Sequence, residues 1–242
     1  MSAIEAKQLR KRYGSGDTAV DAVREMSFVV ESGEFVAVMG ESGSGKSTLL
    51  SMLGALNSPT DGSLTVDEIE IYSLGQDQRA DFRREYLGFV FQSFHMVPYL
   101  TVAENVMLPL ATVKVKKKEK RRMALEALSR VGLEGKADRL PSEVSGGEQE
   151  RVAIARAIVN EPPILLADEP TGKLDSKTSS EVMELLRELN NAGMTVVMVT
   201  HSEECALSAR RVLRVADGCI VEEDRRMREA SAEAAVAARS EP

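Results

Sequence analysis

Lys46 is the only cation in the stretch Gly40-Glu41-Ser42-Gly43-Ser44-Gly45-Lys46-Ser47-Thr48. The stretch fits the G-x-x-x-x-G-K-[ST] pattern of a phosphate-binding loop. Its chemistry is mostly that of the backbone. Glycines admit left-handed dihedrals, so successive N–H groups can turn inward and cradle an anion. A helix starting at the end of the loop adds partial positive charge. In such a loop Lys46 reaches the β- and γ-phosphates, and the Ser47 hydroxyl is a ligand for Mg²⁺.

Two further constellations could act on the same substrate. Asp168 and Glu169 end the apolar run Ile164-Leu165-Leu166-Ala167. Carboxylates at the C-terminal edge of a parallel sheet lie where ligands bind. Asp168 there can hold Mg²⁺, and Glu169 can polarise an attacking water. Ser145-Gly146-Gly147 precedes an apolar helical pattern from Arg151 to Ala157. It predicts a second anion site at a helix start. One nucleotide needs only one such site per subunit. Two make sense if two subunits face each other and each lends its second site to the other's nucleotide.

These residues require particular elements. Phe35-Val36-Ala37-Val38-Met39 reads as a buried strand and Thr48 to Leu53 as a helix, which gives the loop its strand–turn–helix setting. Residues 1 to about 35 alternate as strands, ending at the Ser32-Gly33 turn. Strands are also predicted at 63–66, 69–71 and 87–91, then a mostly helical block from about Gln92 to Glu143. Alternation of strand and helix returns with a strand at 164–167, a helix from Ser176 to Leu189, a strand at 195–199 and a hairpin around Asp217-Gly218. The pattern predicts an α/β fold: a mostly parallel, covered sheet with a helical subdomain, about residues 92–155, inserted in it.

Composition narrows the function. The 242 residues carry a formal net charge of −7, no Trp and only 4% aromatic residues, so no nucleic-acid partner is expected. Cys205 and Cys219 lack metal or redox spacing. The apolar runs are strand-sized, and the N-terminus shows no apolar signal region, so an intracellular chain without a membrane span is expected. Lys114 to Arg122 carries seven Lys or Arg in nine residues, a solvated face or a contact for anionic lipid headgroups. From Glu222 the chain turns polar and Ala-rich, which predicts a flexible tail over 222–242.

Over about residues 3 to 221 the sequence resembles the ATP-binding subunit of ABC transporters, motif by motif and in order. Tyr13 matches the aromatic residue that stacks on adenine, and the phosphate loop from Gly40 to Thr48 is complete. Gln92 matches the glutamine that senses Mg²⁺ and the attacking water. Ser145-Gly146-Gly147-Glu148-Gln149 matches the family signature, with Val144 where Leu is usual. Asp168 and Glu169 match the magnesium and catalytic carboxylates. Leu174-Asp175 matches the loop that crosses the dimer interface, and His201 the switch histidine at the γ-phosphate. The resemblance implies a P-loop ATPase core with an antiparallel β subdomain, with ATP and Mg²⁺ as cofactors. It implies that Glu169, His201 and Gln92 are catalytic and that Ser47, Gln92 and Asp168 hold the metal. Nucleotide contacts would come from Tyr13, Gly40, Ser42, Gly43, Ser44, Gly45, Lys46, Ser47, Thr48, Ser145, Gly146, Gly147 and Asp175. The implied assembly is an ATP-dependent homodimer on the inner face of the cell membrane, driving a separate permease that docks on the segment from Gln92 to about Leu110.

The stretches 88–94 and 166–172 resemble the lipoprotein-releasing, macrolide-exporting and cell-division clade. Lys173 and His95 stand where that clade usually has Asn, and Asp67-Glu68 lacks the usual turn glycine. A soluble ABC-type ATPase acting on ribosomes or chromosomes is the alternative. Against it, only 99 residues separate Lys46 from Ser145, too few to hold a long coiled-coil insertion.

Overall fold

A computed structural model describes residues 2–225. The chain opens with two long strands, β1 (Ser2–Tyr13) and β2 (Val20–Glu31), followed by β3 (Phe35–Met39) and helix α1 (Lys46–Leu53). Next come β4 (Asp61–Val66), β5 (Ile69–Glu70), α2 (Gln76–Tyr86) and β6 (Leu87–Val90). A helical block follows, α3 (Val102–Val106), α4 (Lys117–Arg130) and α5 (Gly146–Ile158). The chain then runs through β7 (Ile164–Asp168), α6 (Ser176–Asn191), β8 (Thr195–Thr200), α7 (Glu203–Ala206), β9 (Arg211–Ala216) and β10 (Cys219–Arg225).

The strands form two sheets. An antiparallel one has the order β2-β1-β4-β5, and a six-stranded one has the order β10-β9-β3-β8-β7-β6. In the larger sheet β6, β7, β8, β3 and β9 run parallel, with β10 added antiparallel at one edge. The almost wholly apolar sequences of the central strands follow from burial on both faces. In β3, Phe35, Ala37 and Met39 enter one core, shared with the helical block, while Val36 and Val38 enter the other, shared with the antiparallel sheet. β7 and β8 divide in the same way. The C-terminal ends of these strands carry the site.

The expected fold class is found, including the helical block between β6 and β7. Two local features differ from the expectation, and one expected turn forms on residues that rarely adopt it. Helix α2 was not expected: its eleven residues are strongly polar, and only Phe82 is buried, stacked on Tyr86 at 5.1 Å. The turn lacking glycine closes a two-residue hairpin between β4 and β5 with Asp67 and Glu68 both at positive φ, 46° and 66°. A primed turn of this kind suits the strand twist and ordinarily favours Asn-Gly or Asp-Gly. β10 runs to Arg225, past Val221, because it pairs with β9 through Arg225↔Arg211. The rest of the expected tail, 226–242, lies outside the described residues.

Candidate functional site

The phosphate loop joins β3 to α1, as its sequence requires. Gly45 sits at φ +103°, and a Cβ there would lie 2.1 Å from the Ala22 carbonyl oxygen, so only glycine fits. Lys46 is buried, and its ammonium donates to the carbonyls of Gly40 at 2.8 Å and Glu41 at 2.7 Å, bridging the loop from inside. The Ser44 hydroxyl oxygen is buried without a hydrogen-bond partner. The loop borders a cleft of about 570 Å³ lined by Gly43, Gly45, Lys46, Ser47 and Thr48, and closed by Gln92, Glu169 and His201.

Sheet order assembles the far wall. β3, β8, β7 and β6 are successive neighbours, so their C-terminal ends open onto one edge. Asp168 ends β7, Glu169 follows it, His201 follows β8, and Gln92 lies two residues beyond β6. Gln92 Nε2 donates to Glu169 Oε2 at 3.1 Å, and His201 Nδ1 lies 3.0 Å from the same oxygen. Glu169 itself is at φ +47°, a left-handed conformation for a residue with a side chain. Such a conformation costs about 1–3 kcal/mol and persists only where the surroundings fix it. Here the Glu169 N–H donates to the Val199 carbonyl, and its carbonyl accepts from Gly172 N–H, at 2.9 and 3.0 Å. The carboxylate is thereby turned into the cleft instead of continuing the strand.

Ser47 Oγ donates to Asp168 Oδ1 at 3.2 Å. Burial raises the Asp168 carboxyl above its ordinary range, the Ser47 hydrogen bond lowers it, and the neighbouring Glu169 charge raises it again, against the pull of Lys46. A hydroxyl and a desolvated carboxylate in contact are hard oxygen donors. No cluster of three or more His, Cys, Asp or Glu forms a complete metal cage among the described residues. Two protein oxygens with room for phosphate and water fit Mg²⁺, which usually keeps several waters and takes substrate phosphates as ligands.

Other expected site residues lie elsewhere. Tyr13 does not line this cleft. It ends β1 opposite Val20, its ring 43% exposed, its hydroxyl accepting from Asn57 Nδ2 at 2.5 Å and its face under Lys11 Nζ. Ala22, two residues along β2 from Val20, does line the cleft. Ser145, Gly146 and Gly147 are also absent from it, and they lie beside the α6 start. A Cβ on Gly147 would meet Thr178 Cγ2 at 2.2 Å, and one on Gly146 would meet Leu174 Cδ2 at 3.8 Å. Ser145 caps α5: its hydroxyl accepts from Glu148 N–H at 3.3 Å, and Glu148 Oε2 accepts from Ser145 N–H at 2.8 Å. Asp175 caps α6, taking both Thr178 N–H and Thr178 Oγ1. The segment Ser145-Gly146-Gly147, expected as the second anion site, thus lies outside the cleft on the same subunit.

Sequence reasoning missed the side chains that hold the loop after Gln92. Arg156 donates to the carbonyls of Phe94 at 2.6 Å and His95 at 2.7 Å. Buried Asn105 accepts from Val97 N–H at 2.7 Å and donates to the carbonyls of Val97, Leu100 and Thr101. An Asn within the apolar run Val102–Val106 was the available signal. Lys173, one of the departures, donates to Ser93 Oγ at 2.8 Å and forms a second tie between the loops that carry Gln92 and Glu169.

Compared with known proteins, residues 23–172 match the family described as ABC transporter. The chain is 46% identical over 222 residues to the ABC transporter ATP-binding protein YvrO of Bacillus subtilis, covering 92% of this chain and 97% of that protein. It is 44% identical to the macrolide export ATP-binding/permease protein MacB of Mannheimia succiniciproducens, covering 92% of this chain but 35% of that longer protein. Among solved structures, dimeric MJ0796, a bacterial ABC transporter cassette, superimposes with a TM-score of 0.85 at 44% identity, covering 92% of this chain and 98% of that one. The same cassette in a post-hydrolysis dimer bound to ADP and Pi gives a TM-score of 0.84 at 43% identity, with the same coverage of both chains.

Proposed function

Because the chain belongs to the ABC transporter family and is an ATPase of it, we propose that two copies close around two Mg·ATP and drive a separate permease of the lipoprotein-releasing or macrolide-export type. The observation that carries this reading is that Ser145-Gly146-Gly147 lies apart from the phosphate-loop cleft on the same subunit. The phosphate loop, Gln92, Glu169 and His201 share one cleft, whereas Ser145-Gly146-Gly147 lies beside Leu174 and Asp175, outside it. Two-fold symmetry, the default for homodimers, brings the second surface of each copy over the cleft of the other. Tyr13 stacks on adenine from the end of β1.

Within each cleft the backbone N–H groups of Gly43 to Thr48 and the Lys46 ammonium bind the phosphates. Ser47, Asp168 and Gln92 would hold Mg²⁺, which would supply positive charge to offset the repulsion among the phosphate oxygens. Glu169 accepts the proton of the attacking water, and Gln92 and His201 orient its carboxylate through the contacts at Oε2. His201 also reaches the γ-phosphate, which makes the contact between copies sensitive to hydrolysis. The permease docks on the segment from Gln92 to about Leu110, placing the chain on the inner face of the cell membrane. That segment is held from behind by Arg156 and Asn105 and presents Tyr99, 80% exposed, to its surroundings. No helix among the described residues is long and apolar enough to cross a membrane.

Glu169→Gln tests the reading. The amide keeps the shape but cannot take a proton, so hydrolysis should fall by about 10²–10⁴-fold with ATP binding retained. Sedimentation of this variant should show a dimer with ATP and a monomer with ADP. A variant that stays monomeric in ATP at high protein concentration refutes the two-copy arrangement. Turnover equal to the original chain removes Glu169 as the base.

A further inference from the structure

The connection leading into α4 carries charge that the fold does not use. Lys114, Lys116, Lys117 and Lys118 are all exposed. None makes a side-chain hydrogen bond or ion pair with another described residue. The Glu104 carboxylate feels Lys117 through space and is already held by Thr101. The basic residues that follow are engaged. Lys120 Nζ donates to the Ala111 carbonyl at 3.0 Å, Arg121 pairs with Asp138 at 2.7 Å, and Arg122 pairs with Glu119 and Glu126. The seven-cation run therefore divides into three cations that are paired, Lys120, Arg121 and Arg122, and four that are not.

The unpaired part also lies where it weakens the helix. Lys116 is the N-cap of α4, without a side-chain cap, and Lys117 and Lys118 are its first two residues. Cations there oppose the partial positive charge of a helix N-terminus and repel one another. The neighbouring helices begin conventionally, α3 on the Thr101–Glu104 box, α5 on the Ser145–Glu148 box and α6 on Asp175. The cluster also runs against a chain whose net charge is −7. Folding does not account for four cations at this place, but an anionic partner would.

Two apolar side chains are exposed within and just before the run. Val115, between Lys114 and Lys116, is 39% exposed, and Leu108, on the turn just before, is 40% exposed. We propose that Leu108 and segment 114–118 form a docking surface for an anionic lipid bilayer. The lysines meet headgroup phosphates, and Val115 and Leu108 enter the interface between headgroups and acyl chains. Lysines interspersed with apolar side chains suit a membrane surface. A single-stranded nucleic acid would use aromatic stacking partners among the cations, and residues 108–118 contain no aromatic residue.

The test uses the purified full chain and vesicles without any permease, so it does not depend on the transport reading above. Flotation with phosphatidylcholine vesicles is compared with flotation on equal mixtures of phosphatidylcholine and phosphatidylglycerol. The chain should float with the anionic vesicles at 50 mM salt and be released at 0.5 M salt, where exposed charges are screened. Each Lys→Gln change at 114, 116, 117 or 118 should lower partition by about fivefold, and the quadruple variant should not float. Val115→Asp should weaken flotation with all four lysines in place. The quadruple variant should unfold at the same temperature as the original chain or higher, because unfavourable charges have gone. No flotation of the original chain overturns the proposal, as does equal flotation on neutral vesicles, unchanged flotation of the quadruple variant, or a fall in its unfolding temperature. Tighter retention by a single-stranded oligonucleotide than by the anionic vesicles would assign the patch to nucleic acid and overturn it as well.

Discussion

Glu150 in α5 is 1% exposed, and its Oε1 has no hydrogen-bond partner. Burial pushes its carboxyl from an ordinary 4.5 up to about 8, against the pull of the Arg156 guanidinium. Between those values the folded chain keeps a proton that the unfolded chain has released. Stability contributed by the neutral acid is therefore complete below about pH 4.5, declines as pH rises, and is lost once pH passes about 8. At about 1.4 kcal/mol per pH unit, the interval corresponds to a ceiling of about 5 kcal/mol. Glu150→Gln keeps the shape and removes the titration. The two proteins should unfold at the same temperature near pH 4.5, and a gap in favour of the variant should open through pH 6 and 7 and level off above 8. For a domain of this size 1 kcal/mol shifts the midpoint by about 2–4 °C, so the gap has a ceiling of about 10–20 °C. Thermal unfolding of both proteins at pH 5, 6, 7, 8 and 9 measures the gap. A gap that does not change with pH, or a wild type more stable at pH 9, would show that Glu150 is ionised in the fold and that Arg156 stabilises it.

Gly147→Ala should cost about 1–3 kcal/mol, because the new methyl meets Thr178 Cγ2 at 2.2 Å where α5 crosses α6. Adding Thr178→Ser removes that methyl and keeps the hydroxyl bonded to Asp175, so denaturant unfolding should show most of the loss recovered; an additive double variant refutes the clash. Replacing Phe94 and Tyr99 by Ala should abolish stimulation of ATP hydrolysis by the permease, with basal hydrolysis unchanged and stability within about 0.5 kcal/mol for exposed Tyr99. Normal stimulation and co-purification would place docking elsewhere.

Features written in consecutive residues are legible in this chain's sequence alone. The phosphate loop is one such feature, since nine adjacent residues specify the turn and the helix start. The double apolar character of β3, β7 and β8 is another, because burial on both faces leaves no polar position in the run. The signature at Ser145 is readable as a helix start, and its capping box is local. Helix α2 is hidden because a mostly solvated helix carries almost no apolar period.

Tertiary structure decided the rest. Gln92, Glu169 and His201 meet at one carboxylate oxygen because β6, β7 and β8 are parallel neighbours whose ends share one edge. Period-two alternation marks a strand but carries no information about which strand lies beside it. The buried state of Glu150 was equally hidden. Glu148 and Glu150 are chemically alike, and only packing sends Glu150 inward while Glu148 closes the cap of its own helix. The division of the basic run into paired and unpaired halves depends on Asp138 and Ala111, which the fold brings to Arg121 and Lys120. Backbone-local preferences act over a few residues and are written in consecutive sequence. The partners of a charge or a carboxylate are set by long-range packing, which only the assembled sheets and helices establish.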